Sequence, residues 1–377
     1  MRFMQVSDLH LGKRLRERSL DDDQRYILGE IVRIAVDENV DGLIIAGDVF
    51  DDGSSTTVEA TNMLDSFLTE LSEKGIETYL ISGTHDNMDR LSYGKEFFGK
   101  RGIHIASRFE EEMEMYSRSK DGVTVDIYML PFIKPVHARR MYPDERIDDY
   151  TDAVRCAISH TEIVPGDRFR IMVTHQFVTS SGKDPEKSDS EKIYVGNTER
   201  IDASVFDGFD YVALGHIHKR QDIGEKGNIH YCGAPLKYSV DEWDQVKSAT
   251  IIDIDVNGFS KRYVELRPKR EVRKVTGPLD GIIRAAKEGP VSDDFVYAVL
   301  TDNPENPMDR LREVFPNIVG MEVPRTGEAV FNTSVDVEEG IDKVAVFADF
   351  YRKCTGTDPT VDQTDIVSDI LTGEGSE

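Results

Sequence analysis

Histidine and aspartate recur in this chain directly after short apolar runs: Asp8-Leu9-His10, Gly47-Asp48-Val49-Phe50-Asp51, Gly83-Thr84-His85-Asp86, Thr174-His175 and Gly215-His216-Ile217-His218. Carboxylates bring charge and imidazoles bring nitrogen donors. Gathered in one place, they suit two divalent cations ~3.5–4 Å apart, close enough to serve both the attacking and the leaving oxygen of a phosphate ester. Asp48 is the candidate bridge between the two. No cysteine stands in these segments, which argues against a structural zinc site, and a mixed nitrogen and oxygen set suits Mn²⁺, Fe²⁺ or Zn²⁺. Singly, Asp-x-His or Gly-His-x-His is more often an ordinary turn; the ordered set carries the inference. His104, His137, His160 and His230 match no ligand pattern and read as structural.

Residues so far apart in sequence meet only if the backbone delivers them to one edge. The runs 3–6, 43–46, 79–81, 171–173 and 211–214 are short and rich in β-branched or aromatic residues, the pattern of buried strands. Between the first two, residues 19–39 place Tyr26, Ile27, Ile31, Ile34 and Ala35 at helical spacing, and residues 56–74 do the same with Leu64, Phe67, Leu68 and Leu71. Strand and helix in alternation predict an α/β core: a mainly parallel sheet covered on both faces. In such sheets ligands gather in the crevice outside the carboxyl ends of the strands, where each of the five segments begins.

The chain has 377 residues, enough for about two folding units at ~150 residues each. With 71 acidic and 46 basic residues its formal charge is −25, which opposes coating nucleic acid by bulk electrostatics. Cys156, Cys232 and Cys354 are too dispersed for a disulfide framework, and a reducing cytoplasm is expected. No run approaches the ~20 apolar residues of a membrane span. Four regions are expected. Residues 1–258 form the first domain, and 259–275, with seven basic residues against two acidic, form a basic connector. A small α+β capping domain follows at 276–325, and an acidic tail at 326–377. In the tail, Val344, Phe347, Ala348 and Tyr351 line one face of a helix over 341–351, a spacing suited to docking in a partner's groove; the rest of the tail reads as mobile unless a partner orders it.

The ordered motifs resemble the metallophosphoesterase superfamily and, more closely, the SbcD family of DNA double-strand-break nuclease subunits. The likeness extends to Ser7-Asp8-Leu9-His10-Leu11-Gly12-Lys13, Asp23-Gln24, Ala46-Gly47-Asp48-Val49-Phe50-Asp51 and Cys232-Gly233-Ala234-Pro235-Leu236-Lys237-Tyr238-Ser239. Leu266-Arg267-Pro268-Lys269-Arg270 and Leu311-Arg312-Glu313-Val314-Phe315-Pro316 carry it into the second domain.

The resemblance implies a Mn²⁺-dependent phosphodiesterase that cuts DNA in repair and recombination, as a homodimer in complex with a coiled-coil ATPase of the SbcC type. It implies one metal on Asp8, His10, Asp48 and His218, and a second on Asp48, His175, His216 and position 84, with His85 assisting the leaving group. The family carries asparagine where this chain has Thr84. Three readings follow: Thr84 coordinates directly or through water, the second ion binds weakly, or the chain is a catalytically reduced relative kept for assembly. The family's C-terminal segment binds the base of the partner's coiled coil, which assigns Val344, Phe347 and Tyr351 to the partner. Lys13, Arg14 and Arg16, just after the first ligand pair, are the candidate contacts to a DNA backbone. A phosphoesterase acting on small nucleotides or phosphoproteins is the competing function, since one metal cradle serves many substrates.

Overall fold

The computed structural model describes residues 1–191, 199–324, 343–355 and 357–372, in two compact units, Met1–Glu322 and Val323–Glu377. In the first unit the strand Gly42–Ala46 is buried along its whole length, as its unbroken Leu43-Ile44-Ile45-Ala46 run requires of a strand covered on both faces. It pairs in parallel with Arg2–Val6 on one side and Glu77–Ile81 on the other, and Ile103–Ala106 extends the parallel set. Ser248–Asp255 and Gly258–Glu265 complete this six-stranded sheet by antiparallel pairing beyond Arg2–Val6.

A second six-stranded sheet has Phe169–His175 near its middle, parallel to both Tyr211–Gly215 and Val123–Leu130. The sequence predicts one covered sheet; the protein has two, packed face to face. Phe3, Ile44, Tyr79 and Ile81 of the first meet Ile127, Ile171, Val173 and Tyr211 of the second in one buried cluster. Alternate residues of the first sheet, Met4, Val6, Leu43, Ile45 and Leu80, pack instead under the helices Asp21–Asp37 and Val58–Glu73, through Ile27, Ile31, Phe67 and Leu68. The outer face of the second sheet is covered by the helix Tyr150–His160 through Val154 and Ala157. The period-2 alternation of each strand thus sorts residues between a sheet–sheet layer and a sheet–helix layer.

A small three-stranded parallel sheet, Val272–Gly277, Phe295–Leu300 and Ile318–Glu322, carries the helices Leu279–Glu288 and Pro307–Arg312 over Leu279, Ile282, Leu311 and Phe315. The expected connector differs from a linker. Its first part is the edge strand Gly258–Glu265, and most of its seven cations are paired, among them Lys261 with Asp222, Arg262 with Glu38, Arg273 with Asp294 at 3.3 Å, and Arg270 with the buried Asp23. Arg270 also lies over the Phe295 ring at 4.5 Å, so it pins the small sheet to the first helix.

The second unit holds the helices Lys343–Thr355 and Val361–Thr372, which pack on each other. Within the acidic remainder, residues 361–372 form a helix that the sequence does not single out, while 325–342 and 373–377 lie outside the described residues. The start of this helix is a reciprocal cap: Thr360 N donates to Gln363 Oε1 at 2.9 Å, and Gln363 N to Thr360 Oγ1 at 3.4 Å. Among the described residues no helix is long and apolar enough to cross a membrane.

Candidate metal centre

At the edge where the candidate ligands gather, two loops of the first sheet interlock before any side chain is considered. Asp8 N donates to the Gly47 carbonyl, His10 N to that of Asp48 (both 3.0 Å), and Leu11 N to that of Val49 at 2.9 Å. The loops after Arg2–Val6 and Gly42–Ala46 are thereby zipped side by side. Asp8, His10, Asp48 and His216 have φ of +53°, +43°, +48° and +104°. Side chains rarely accept that region, and four such residues at one edge mark a site whose geometry the surrounding fold over-determines. Gly215 is required for a different reason: a Cβ there would lie 1.9 Å from the Ala46 carbonyl oxygen, where the two sheets close up.

The first sheet contributes Asp8, His10, Asp48, Thr84 and His85; the second contributes His175, His216 and His218. Ligand atoms of Asp8, His10 and His218 lie within 4.8 Å of one another, as do those of Asp48, His175 and His216. His10 Nε2 faces His218 Nε2 at 3.1 Å, and His10 Nε2 is 3.7 Å from Asp48 Oδ2. On the other side His175 Nε2 and the Thr84 hydroxyl each approach Asp48 Oδ2 to 3.2 Å. Asp48 therefore stands between the two groups. His175 donates its Nδ1 hydrogen to the Ala46 carbonyl at 2.8 Å, which leaves Nε2 turned inward. His216 Nε2 is buried and has no hydrogen-bond partner, and the buried His175 Nε2 faces only the Asp48 carboxylate. Orphaned buried nitrogens are costly unless something takes their lone pairs, and a nitrogen–oxygen donor set around them fits a divalent cation.

The electrostatics point the same way. Burial opposes ionisation of Asp48, yet the adjacent His175, with His10 and His85, holds its carboxyl well below the ordinary range. Burial depresses His216 to about 3, helped by His175, and depresses His10 to about 4. His175 moves the other way, to about 9, because the Asp48 charge outweighs burial. Burial and the Asp48 charge lift Asp86 to about 6 even though it accepts from the backbone N–H of Gly83, Phe50 and Val49. Such divergence among neighbours is characteristic of functional sites.

His85 sits at the rim, half-buried. Its backbone N–H donates to Asp48 Oδ1 at 2.8 Å, its Nδ1 donates to the Asp51 carbonyl at 2.6 Å, and its ring meets the His10 ring edge-on at 4.9 Å. Lys13, expected at a DNA backbone, reaches the Asp51 carboxylate at 2.6 Å beside the site. Arg16 lies over the Tyr297 ring at 5.1 Å and so packs on the small sheet, while Arg14 is exposed and donates to the Glu17 carbonyl. In the second unit Val344, Phe347 and Tyr351 are half-buried on the helix Lys343–Thr355, with the Phe347 and Tyr351 rings 5.8 Å apart; Val346 and Phe350 are the more exposed apolar residues.

Two residues to which the sequence assigns no role build the site. Gln24 is buried; its amide donates to the His10 carbonyl at 2.7 Å and its oxygen accepts from Gly12 N at 2.9 Å, fixing the first ligand loop. Tyr238 stands edge-on to the His10 and His218 rings, at 5.4 and 5.7 Å. A polar residue on the apolar face of a helix is the signal that singles out Gln24; Tyr238 has none of that kind.

Comparison with known proteins gives the chain's relatives. A family model described as calcineurin-like phosphoesterase matches residues 1–220, and one described as type 5 capsule protein repressor C-terminal domain matches residues 268–355. The chain is 27% identical to the SbcD subunit of the SbcCD nuclease of Staphylococcus saprophyticus, over 100% of both chains. It is 28% identical to the protein of the same name in Staphylococcus epidermidis, over 98% of each. Among solved structures, a dimetal phosphatase from Danio rerio overlaps 71% of this chain and 99% of its own at 13% identity, with a TM-score of 0.38.

Proposed function

The chain belongs to the calcineurin-like phosphoesterase family, and from that premise we propose that it is the nuclease subunit of an SbcCD-type complex, hydrolysing DNA phosphodiester bonds at double-strand ends and hairpins. The convergence of the buried His175 and His216 ring nitrogens on the Asp48 carboxylate carries this reading. Asp8, His10, Asp48 and His218 would hold one divalent cation, and Asp48, Thr84, His175 and His216 the other, with Mn²⁺ suited to the donor set. When bound, the cations supply Lewis acidity to the phosphoryl oxygens and acidify the attacking water. The chain's own residues do the remaining work. Asp48 fixes His85 through the backbone N–H, and the Asp51 carbonyl occupies His85 Nδ1. Nε2 is the nitrogen left to protonate the departing sugar oxygen, work suited to an imidazole.

DNA would run past the rim at His85, with the exposed Arg14 and the adjacent Lys13 as backbone contacts. The homodimer, the coiled-coil ATPase partner on Val344, Phe347 and Tyr351, and residence in the cytoplasm belong to the same proposal. One observation favours a second reading, a catalytically weakened subunit: the Thr84 hydroxyl is 3.2 Å from Asp48 Oδ2, so it is engaged by the bridging carboxylate. A Mn²⁺-dependent cleavage assay on linear and hairpin DNA, with and without an SbcC-type ATPase, tests the nuclease reading, and no cleavage of any phosphodiester would favour the weakened subunit. Cleavage that disappears in His85→Gln supports the nuclease. Cleavage of a chromogenic phosphodiester but of no DNA, even with the partner and ATP, overturns it.

A further inference from the structure

Behind His218 three side chains and a backbone carbonyl close a ring that metal binding alone does not require. Ser190 Oγ lies 2.7 Å from His218 Nδ1 and 2.6 Å from Glu242 Oε1. The other oxygen of Glu242 accepts from Lys247 Nζ at 2.5 Å, and the same ammonium reaches the His218 carbonyl at 2.9 Å. Glu242 is wholly buried and Lys247 nearly so. Separately, Glu191 Oε1 accepts the His218 backbone N–H at 2.6 Å.

The direction of each hydrogen bond follows from the inventory of donors. A carboxylate paired with an ammonium only accepts, so the single proton of Ser190 goes to Glu242. The serine oxygen must then accept from His218 Nδ1 at 2.7 Å; the Ser188 hydroxyl, 3.1 Å from the same oxygen, has the Glu191 carboxylate to donate to, also at 3.1 Å. Nδ1 therefore carries the hydrogen, and the lone pair of the imidazole sits on Nε2. That nitrogen is the one 3.1 Å from His10 Nε2 and 3.9 Å from Asp8 Oδ1.

We propose that Ser190 and Glu242 are positioning residues that lock His218 in the Nδ1–H tautomer and keep Nε2 open to a divalent cation, with Lys247 holding Glu242 in place. The proposal rests on His218 being a metal ligand. The relay differs from the His175 arrangement, where a backbone carbonyl does the same work at 2.8 Å. A carbonyl comes with the fold, whereas the His218 relay depends on side chains that single substitutions can remove. Ligand orientation from such outer partners commonly changes metal affinity by ~10–100-fold.

The test uses the full-length chain with ¹⁵N-labelled histidine, metal-free, with the His218 resonance assigned by its loss in His218→Gln. The expected wild-type state is Nδ1–H. Ser190→Ala removes the acceptor, and Glu242→Gln offers an amide that lets Ser190 turn its proton toward His218; both should give mixed tautomers, and Ser190→Thr should restore one. In calorimetric titration with Mn²⁺, one of the two binding steps should weaken about tenfold or more in Ser190→Ala and recover in Ser190→Thr. Should Glu242→Gln fail to fold, the half-buried Ser190 pair decides the matter. An Nε2–H tautomer in the wild type, or unchanged tautomer and affinity in folded Ser190→Ala, overturns the proposal. A wild type with the Nδ1–H tautomer that binds no Mn²⁺ overturns the metal reading of the site, so the two failures are distinguishable.

Discussion

The Thr84 hydroxyl lies 3.2 Å from Asp48 Oδ2, the same oxygen that faces His175 Nε2 at 3.2 Å. A β-branched hydroxyl at this position leans on the carboxylate between the two ligand groups and projects less far than a carboxamide would. Thr84→Asn is expected to tighten the weaker of two Mn²⁺ binding steps, by roughly tenfold, as typical of changes around metal sites. Calorimetry reads the result directly, and unchanged affinity and stoichiometry would count against a ligand role for position 84.

His85 is placed by its backbone on Asp48 and by Nδ1 on the Asp51 carbonyl, while its ring sits at the rim. His85→Gln should therefore leave both Mn²⁺ steps close to wild type and lower DNA hydrolysis by ~10²–10⁴-fold, the usual contribution of general acid catalysis. A variant that loses metal along with activity would move His85 into the ligand set.

Arg270 joins the small sheet to the first helix through buried Asp23 and the Phe295 ring. Removing one partner of a buried pair strands the other charge, so Arg270→Ala should destabilise the first unit by about 3 kcal/mol in denaturant unfolding. A change below about 1 kcal/mol would mean that solvent already compensates Asp23.

Acid should weaken the metal-free fold in part through the buried His230. Burial is the main cause of its lowered pKa; Asp222, at 2.6 Å from Nδ1, opposes that, while Lys261 and Arg220 add to it. The unfolded chain takes up this proton near pH ~6.5, and the folded chain resists until lower pH. Stability from neutral His230 is thus present above about pH 6.5 and is lost as pH falls toward the folded value. His230→Gln should show a shallower fall in unfolding free energy between pH 7 and 5 than the wild type. An equal slope would assign the acid sensitivity elsewhere.

The sequence displays the candidate ligands because each follows a run such as Leu43-Ile44-Ile45-Ala46, whose continuous apolarity only a doubly covered strand explains. It hides the second sheet better. Val123–Leu130 carries Asp126 in its middle, a residue that reads as a break until its pairing with Arg168 at 2.7 Å is seen. Loop charge misleads in the same way: Arg16 looks free, and only tertiary structure brings Tyr297 beneath it. Ser190 and Glu242 leave no local pattern, since their contact spans 52 positions. The helix Val361–Thr372 is legible from Thr360 and Gln363, but its acidic surroundings point toward disorder.

Because neither sheet holds all the donors of either proposed ligand set, full chelation would need the N-terminal and middle thirds of the chain to have docked. On the proposed ligand sets each ion would act as a rivet across the seam. A molecule loaded with Mn²⁺ should open more slowly than a stripped one, and fragments cut between the halves should capture the ion only when mixed.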